Sequence, residues 1–171
     1  MSTLATFSTC DFCDAYRDDQ TGALRVLPPL WREFGAARSF SGEVSTLQCF
    51  EDNGLLRAAL ESPGAGRVLV VDGGGSLRTA LIGGNLGALA VASGWAGIVV
   101  DGCVRDATEL SACAIGIRAR ALCPMPPAKR SAGQRDGAVR IQGVGMRPGD
   151  WLYADADGIV LLDRPWAVPP T

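Results

Sequence analysis

The sequence predicts a mixed α/β domain built around a parallel βαβ unit, with a β-rich part towards the C-terminus. Two short β-branched runs, Arg67-Val-Leu-Val-Val-Asp72 and Gly97-Ile-Val-Val-Asp101, each lead into glycine, and a small-residue helical segment lies between them. Apolar runs of that length suit strands buried on both faces, and a helix joining two of them makes a crossover that leaves the strands parallel. Beyond Gly137, short alternating runs separated by turn residues read as further strands.

Taken in order, Ser8 or Thr9 with Asp11 opens a short helix through Tyr16, and Pro28-Pro29 marks a turn. Between Phe40 and Phe50 the chain alternates as a strand does, with Val44, Thr46 and Gln48 on one face and Ser45, Leu47 and Cys49 on the other. Asn53 is placed to cap a helix in which Leu55, Leu56, Ala59 and Leu60 share a side, and Pro63-Gly64 ends it. The Arg67–Asp72 strand then reaches Gly73-Gly74-Gly75, read as a tight turn with φ > 0. Gly83-Gly84-Asn85 opens the crossover helix, with Asn85 as its cap, and Gly94 stops it before the Gly97–Asp101 strand. Asp106 and Glu109 form a capping-box-like start for a helix through Ala112. Ile115 to Ala121 alternates as a strand with Arg118 and Arg120 on one face, and 123 to 137 is a long Pro/Ala-rich loop. Residues 138 to 142, 151 to 154 and 158 to 162 are strands, separated by the turns Arg147-Pro-Gly-Asp150 and Asp155-Ala-Asp-Gly158.

Composition narrows the chemistry. The 171 residues suit one domain, with a Pro-rich tail over 164–171. A net charge of −2 gives no electrostatic footprint for direct nucleic-acid binding. The first residues lack the basic and apolar regions of a signal peptide, and the longest apolar stretch falls short of a membrane span, so a cytoplasmic protein with no membrane contact is expected. Histidine is absent. This removes Ser-His and Cys-His nucleophiles, histidine zinc sites and phosphohistidine carriers. Of 16 basic residues only Lys129 is a lysine, so Schiff-base chemistry has one candidate, in a Pro/Ala-rich stretch that suits it poorly. The six cysteines contain a single CxxC pair, Cys10 and Cys13, and read as buried free thiols rather than as a zinc site.

Three glycine-rich turns raise the question of a phosphate loop, but neither GxGxxG nor GxxxxGK[ST] is present. Gly83-Gly84-Asn85-Leu86 is either a plain helix start or a place where free backbone amides and the helix dipole receive a carboxylate or phosphate. Asp101-Gly-Cys-Val-Arg-Asp106 follows a buried parallel strand, at the sheet edge where α/β proteins bind ligands. Arg105 and Asp106 facing that helix start supply an anion clamp and a hard-metal ligand, suited to Mg²⁺ or Mn²⁺ held largely by water. Arg118, Arg120, Lys129, Arg130 and Arg135 either edge an acidic partner or, more plainly, cover a solvated strand face and loop.

These segments carry a resemblance. Cys49-Phe-Glu-Asp-Asn53, Val68-Leu-Val-Val-Asp-Gly-Gly-Gly-Ser-Leu-Arg78, Gly94-Trp-Ala-Gly-Ile-Val-Val-Asp-Gly-Cys-Val-Arg-Asp106 and Tyr153-Ala-Asp-Ala-Asp-Gly-Ile-Val160 are similar to the RraA-like family. That family takes in regulators of ribonuclease activity and 4-hydroxy-4-methyl-2-oxoglutarate aldolases. The resemblance implies one domain over 1–163, with a three-layer β/β/α fold like the swivelling domain of phosphotransfer enzymes, in homotrimers or hexamers. It implies that Asp106 holds the divalent metal, that Arg105 contacts substrate, and that Gly83, Gly84, Asn85 and Leu86 receive the substrate carboxylate. The implied reaction is retro-aldol cleavage of a 4-hydroxy-2-oxo acid to pyruvate, with oxaloacetate decarboxylation alongside. The implied alternative is a non-catalytic protein that binds a ribonuclease or RNA helicase. One departure stands out: Gly84 occupies the place of an acid usual in the aldolases. Aldol cleavage is therefore expected to be weakened more than decarboxylation; a large gain in Gly84→Asp would show that the lost acid is the limiting group, and Asp101 or a neighbouring subunit are the candidate sources of a substitute carboxylate.

Overall fold

A computed structural model describes residues 6–167. The predicted tail over 164–171 is described only through 167, and its remainder lies outside the described residues. The mixed α/β reading holds. Strands β3 (Phe40–Gln48), β4 (Val68–Ile82), β5 (Gly97–Val104) and β6 (Gly116–Leu122) run parallel to one another. Helices α2 (Gly54–Glu61), α3 (Gly84–Ala92) and α4 (Ala107–Ala112) are the three crossovers between them.

Period-two alternation sorts these strands into two cores. Leu69, Val71, Ile98 and Val100 face the helices and pack with Leu56, Leu60, Leu86 and Leu110. Val68, Val70 and Val99 face the other way, onto Leu152, Ile159 and Leu161 of β10 (Trp151–Ala154) and β11 (Ile159–Leu162), and onto Ile141 of β8 (Val139–Ile141). Burial on both faces is why these runs are continuously apolar. The sheet changes direction along β3: Phe40–Glu43 pair with β10, and Val44–Gln48 with β4. Outside β10 and β11, helix α1 (Thr9–Ala15) packs Phe12 against Tyr153, Val160 and Leu162. Ser8 caps α1 as expected, accepting from the Asp11 amide. Trp166 joins this cluster, its ring tilted against Phe12 with centroids 4.6 Å apart, and donates its amide to the Tyr153 hydroxyl at 2.7 Å.

Several local expectations are corrected. The tight turn at Gly73–Gly75 does not end its strand. Gly74 and Gly75 take φ of +67° and +68°, and β4 then continues to Ile82 through successive register shifts against β5. Positive φ at glycine marks a bulge here rather than a reversal. Asn53 stands at the N-cap of α2, but its side chain donates to the Leu81 carbonyl at 3.1 Å, and Asp52 accepts the Gly54 amide instead. The short strands β1 (Leu24–Val26), β2 (Arg32–Glu33), β7 (Gln134–Arg135) and β9 (Val144–Met146) were not anticipated. Among the described residues, no helix is long and apolar enough to cross a membrane.

The cysteines are free, but the expectation that they are buried holds only for Cys49 and Cys103; Cys10 is exposed and the other three are half-buried. Burial, with the nearby charges of Asp52 and Asp72, pushes the Cys49 thiol up to about 12. A thiol-disulfide reagent at pH 8 should therefore label Cys10 quickly and Cys49 only on unfolding. Mass-spectrometric mapping of labelled peptides checks this order.

Candidate functional site

Register brings the two suspected segments together. Parallel pairing sets Ile82 beside Val104, and the Arg105 amide donates to the Ile82 carbonyl at 2.9 Å. The residues that follow each strand, Gly83-Gly84 and Arg105-Asp106, therefore meet at the carboxyl ends of β4 and β5.

Asp106 corrects the capping-box expectation. Its backbone is left-handed, φ 58° and ψ 49°, and its side chain makes no bond to α4, the helix it precedes. Its Oδ2 instead accepts the Gly84 amide at 3.0 Å, so Asp106 caps the neighbouring helix α3. The left-handed conformation costs about 1–2 kcal/mol, least for residues such as Asp with a short polar side chain. It aims the carboxylate across the cleft.

The N-cap of α3 is Gly83, in extended conformation, and not Asn85. Close approach explains both glycines. A Cβ on Gly83 would stand 2.5 Å from Asp106 Oδ2, and one on Gly84 would overlap Glu109 Oε2 and lie 2.8 Å from the Glu109 Cβ. With Gly84 bonded to Asp106, the amides of Asn85 and Leu86 donate to no acceptor among the described residues. Unpaired amides at the positive end of a helix dipole are a cradle for a carboxylate.

Arg105 lies beside this cradle. Its Nε is 3.9 Å from Asp106 Oδ2, with the two side chains 41% and 40% exposed. Its Nη1 makes a long 3.4 Å bond to the Pro124 carbonyl. A pair this open contributes little to stability, so both charges are available to a ligand. A cleft of about 90 Å³ is lined here by Gly83, Asn85, Leu86, Arg105 and Asp106, and also by Asn53, Arg57, Pro126, Pro127 and Lys129. Sequence reasoning did not bring the last five to the site. Lys129, the one lysine, is in the cleft wall despite its Pro/Ala-rich surroundings. Its loop is held by the Asp52 carboxylate, which accepts the amides of Arg130 at 2.7 Å and Ser131 at 3.1 Å, and by the Asn53 amide bonded to the Ala128 carbonyl at 3.0 Å. Burial opposes ionisation of Asp52, but amides from Gly54, Arg130, Ser131 and Ala132 outweigh it and hold the carboxyl below its ordinary range.

The fit for a divalent cation can be judged from the donors. Among the described residues no three His, Cys, Asp or Glu side chains converge. Asp106 offers its charge with Oδ1 uncommitted, and the Glu109 carboxylate lies one helical turn further on. One or two carboxylates plus water and substrate oxygens is the donor set Mg²⁺ takes. Asp106, as a single carboxylate completed by water and substrate oxygens, fits that ion.

Two expectations about other charged residues fall. Arg118 is 3% exposed, ion-paired with Glu33 at 3.4 Å and set over the Phe40 ring, and Arg120 bonds Asp101 Oδ1 at 3.0 Å. They form neither a basic edge nor a solvated face; Lys129 and Arg130 are exposed on the loop as the plainer reading expects, and of the set Lys129 lines the cleft. Asp101 is 4% exposed and committed to Arg120 and Gln142, so it does not replace an acid at Gly84.

Comparison with known proteins places the chain. A family profile described as RraA-like, Aldolase/RraA, matches residues 9–161. A protein of Albidiferax ferrireducens, provisionally named 4-hydroxy-4-methyl-2-oxoglutarate aldolase, is 60% identical over 91% of this chain and 95% of its own. The solved structure of the RNA-processing inhibitor RraA from Thermus thermophilis is 46% identical, with a TM-score of 0.89 over 95% of this chain and 96% of that one. A Geobacillus kaustophilus structure described as an S-adenosylmethionine:2-dimethylmenaquinone methyltransferase is 41% identical, with a TM-score of 0.88 over 96% and 100%. Three names of different activity share one fold, so the choice between them rests on the site.

Proposed function

Because the chain belongs to the RraA-like family, we propose that it is a divalent-metal-dependent lyase cleaving 4-hydroxy-4-methyl-2-oxoglutarate, or a similar 4-hydroxy-2-oxo acid, to pyruvate, with oxaloacetate decarboxylation as a secondary activity. The observation that carries this reading is the pair of unpaired amides, Asn85 and Leu86, facing Arg105 and Asp106 across one cleft. The 2-oxo acid's carboxylate lands on those amides, and Arg105 faces the 2-oxo oxygen. Asp106 would hold Mg²⁺ or Mn²⁺, which when bound polarises that oxygen and steadies the charge developing on it. Arg105 adds a second, fixed positive charge at the same oxygen. Arg57 and Lys129, at the other wall, suit the second carboxylate of a dicarboxylic substrate. A methyltransferase reading draws no support from a glycine-rich nucleotide fingerprint, which the chain lacks.

The proposal includes a cytoplasmic homotrimer or hexamer; Phe50, Leu77 and Met125, all more than half exposed, are compatible with a subunit contact. The similarity to the Thermus inhibitor favours a second reading, a regulator that binds a ribonuclease or RNA helicase. One experiment addresses both. Pyruvate release from 4-hydroxy-4-methyl-2-oxoglutarate and from oxaloacetate is followed with Mg²⁺, with Mn²⁺ and with excess chelator, and the same preparation is added to a ribonuclease assay. The lyase reading expects metal-dependent release that the chelator stops, with ribonuclease unaffected. Absence of turnover together with ribonuclease inhibition would replace it with the regulator.

A further inference from the structure

Retro-aldol cleavage needs a group to take the proton of the 4-hydroxyl, and the cleft contains few. Arg57, Arg105 and Lys129 carry positive charge, and Asp106 is committed to the Gly84 amide and, in the reading above, to the cation. Asp101 and Asp52 are buried against their own partners. One further carboxylate, not among the residues that line the cleft, stands beside Gly84 at its margin. Glu109 sits one turn into α4, three residues after Asp106 and on the same side of that helix. Among the described residues no hydrogen bond or ion pair engages its carboxylate, and only its backbone carbonyl is used, by the Cys113 thiol. The exposed side chain stands in the volume that a side chain on Gly84 would need at the first turn of α3. The acid missing from residue 84 in sequence is thus present in space, delivered by a different helix.

We propose that Glu109 is the proton acceptor and donor of the aldol step. This rests on the lyase reading. The 4-hydroxyl proton passes to the Glu109 carboxylate, directly or through one water, as the C3–C4 bond breaks. C4 becomes the carbonyl of one pyruvate, and the bonding pair forms the enolate of the other. Protonated Glu109 then returns the same proton to C3, so nothing is consumed besides substrate. Oxaloacetate decarboxylation has no hydroxyl proton to remove and depends on Glu109 only at the final protonation, which water can also perform.

The test compares both reactions, with Mg²⁺ present, in the wild type, Glu109→Gln, Glu109→Ala, Gly84→Asp and the double variant Gly84→Asp/Glu109→Ala, each checked by thermal unfolding. Glu109→Gln should slow aldol cleavage by roughly 10²- to 10⁴-fold, the usual scale of general acid–base assistance, and decarboxylation by less than about tenfold. Gly84→Asp alone should fall below the wild type, because its Cβ meets Glu109. Removing Glu109 makes room, so the double variant should exceed Glu109→Ala by at least about tenfold in aldol cleavage. Wild-type cleavage retained in Glu109→Gln, or both reactions falling in parallel, overturns the proposal while leaving the lyase reading intact. No turnover of either substrate by the wild type overturns both.

Discussion

Replacing Arg105 with alanine is expected to lower metal-dependent pyruvate formation by about 10²- to 10³-fold, the scale of losing one fixed donor to a developing oxyanion. The melting temperature should barely move, since the side chain is 41% exposed and its pairing with Asp106 is loose. Asp106 allows a finer separation, because its carboxylate both caps α3 and carries charge into the cleft. Asp106→Asn keeps an oxygen for the Gly84 amide and a residue type that accepts the left-handed backbone. It should fold like the wild type and lose activity to a similar degree. Asp106→Ala removes the cap as well and should lose both activity and about 1 kcal/mol of stability. Steady-state rates paired with thermal unfolding check all three; full activity in Asp106→Asn would show that its charge is not needed.

The largest structural effect is expected at Asp52, outside the cleft. Its carboxylate, 3% exposed, takes the amides of Gly54, Arg130 and Ser131 and so ties the Lys129 loop to the start of α2. Asp52→Ala leaves those amides without their acceptor, at about 2–4 kcal/mol in all. For a chain of this size that lowers the melting temperature by roughly 5–15 °C. Activity should fall with it, through a weaker KM, because the wall carrying Pro126, Pro127 and Lys129 loses its anchor. The carboxyl is depressed in the folded state, so its contribution is complete above the ordinary carboxylate range near pH 4 and is lost as pH falls through the lower folded value. Acid unfolding of the wild type should accordingly be steeper below about pH 4 than that of Asp52→Asn. Equal acid midpoints and slopes for the two would remove Asp52 from this role.

Much of the scaffold was legible because its signals are local. Val68–Val71 and Gly97–Val100 announce buried strands by unbroken apolar runs, and α3 follows from the small residues between them. Those two facts alone predict that Gly83–Leu86 and Arg105-Asp106 face each other. What escaped depends on partners distant in sequence. Strands of two or three residues, such as Arg32–Glu33 and Gln134–Arg135, are too short to show a period and exist because β6 and β3 offer them an edge. The continuation of β4 past Gly73 hides behind glycines whose positive φ suits a turn equally well. Asp106 reads as the cap of its own helix until the left-handed backbone turns it onto α3. Lys129 and Glu109 were missed for the same reason, since their positions follow from the Asp52 anchor and from the packing of α4 on α3.

The lyase reading places a 2-oxo acid's carboxylate on the open amides of Asn85 and Leu86 beside Arg105 and Asp106. Titrating ¹⁵N-labelled protein with oxalate, a planar mimic of the pyruvate enolate, in the presence of Mg²⁺ tests it at those atoms. The Asn85 and Leu86 amide resonances should shift first and furthest, and Arg105→Ala should abolish the shift. Shifts confined to another part of the molecule, with Asn85 and Leu86 unmoved at saturating oxalate, would contradict it.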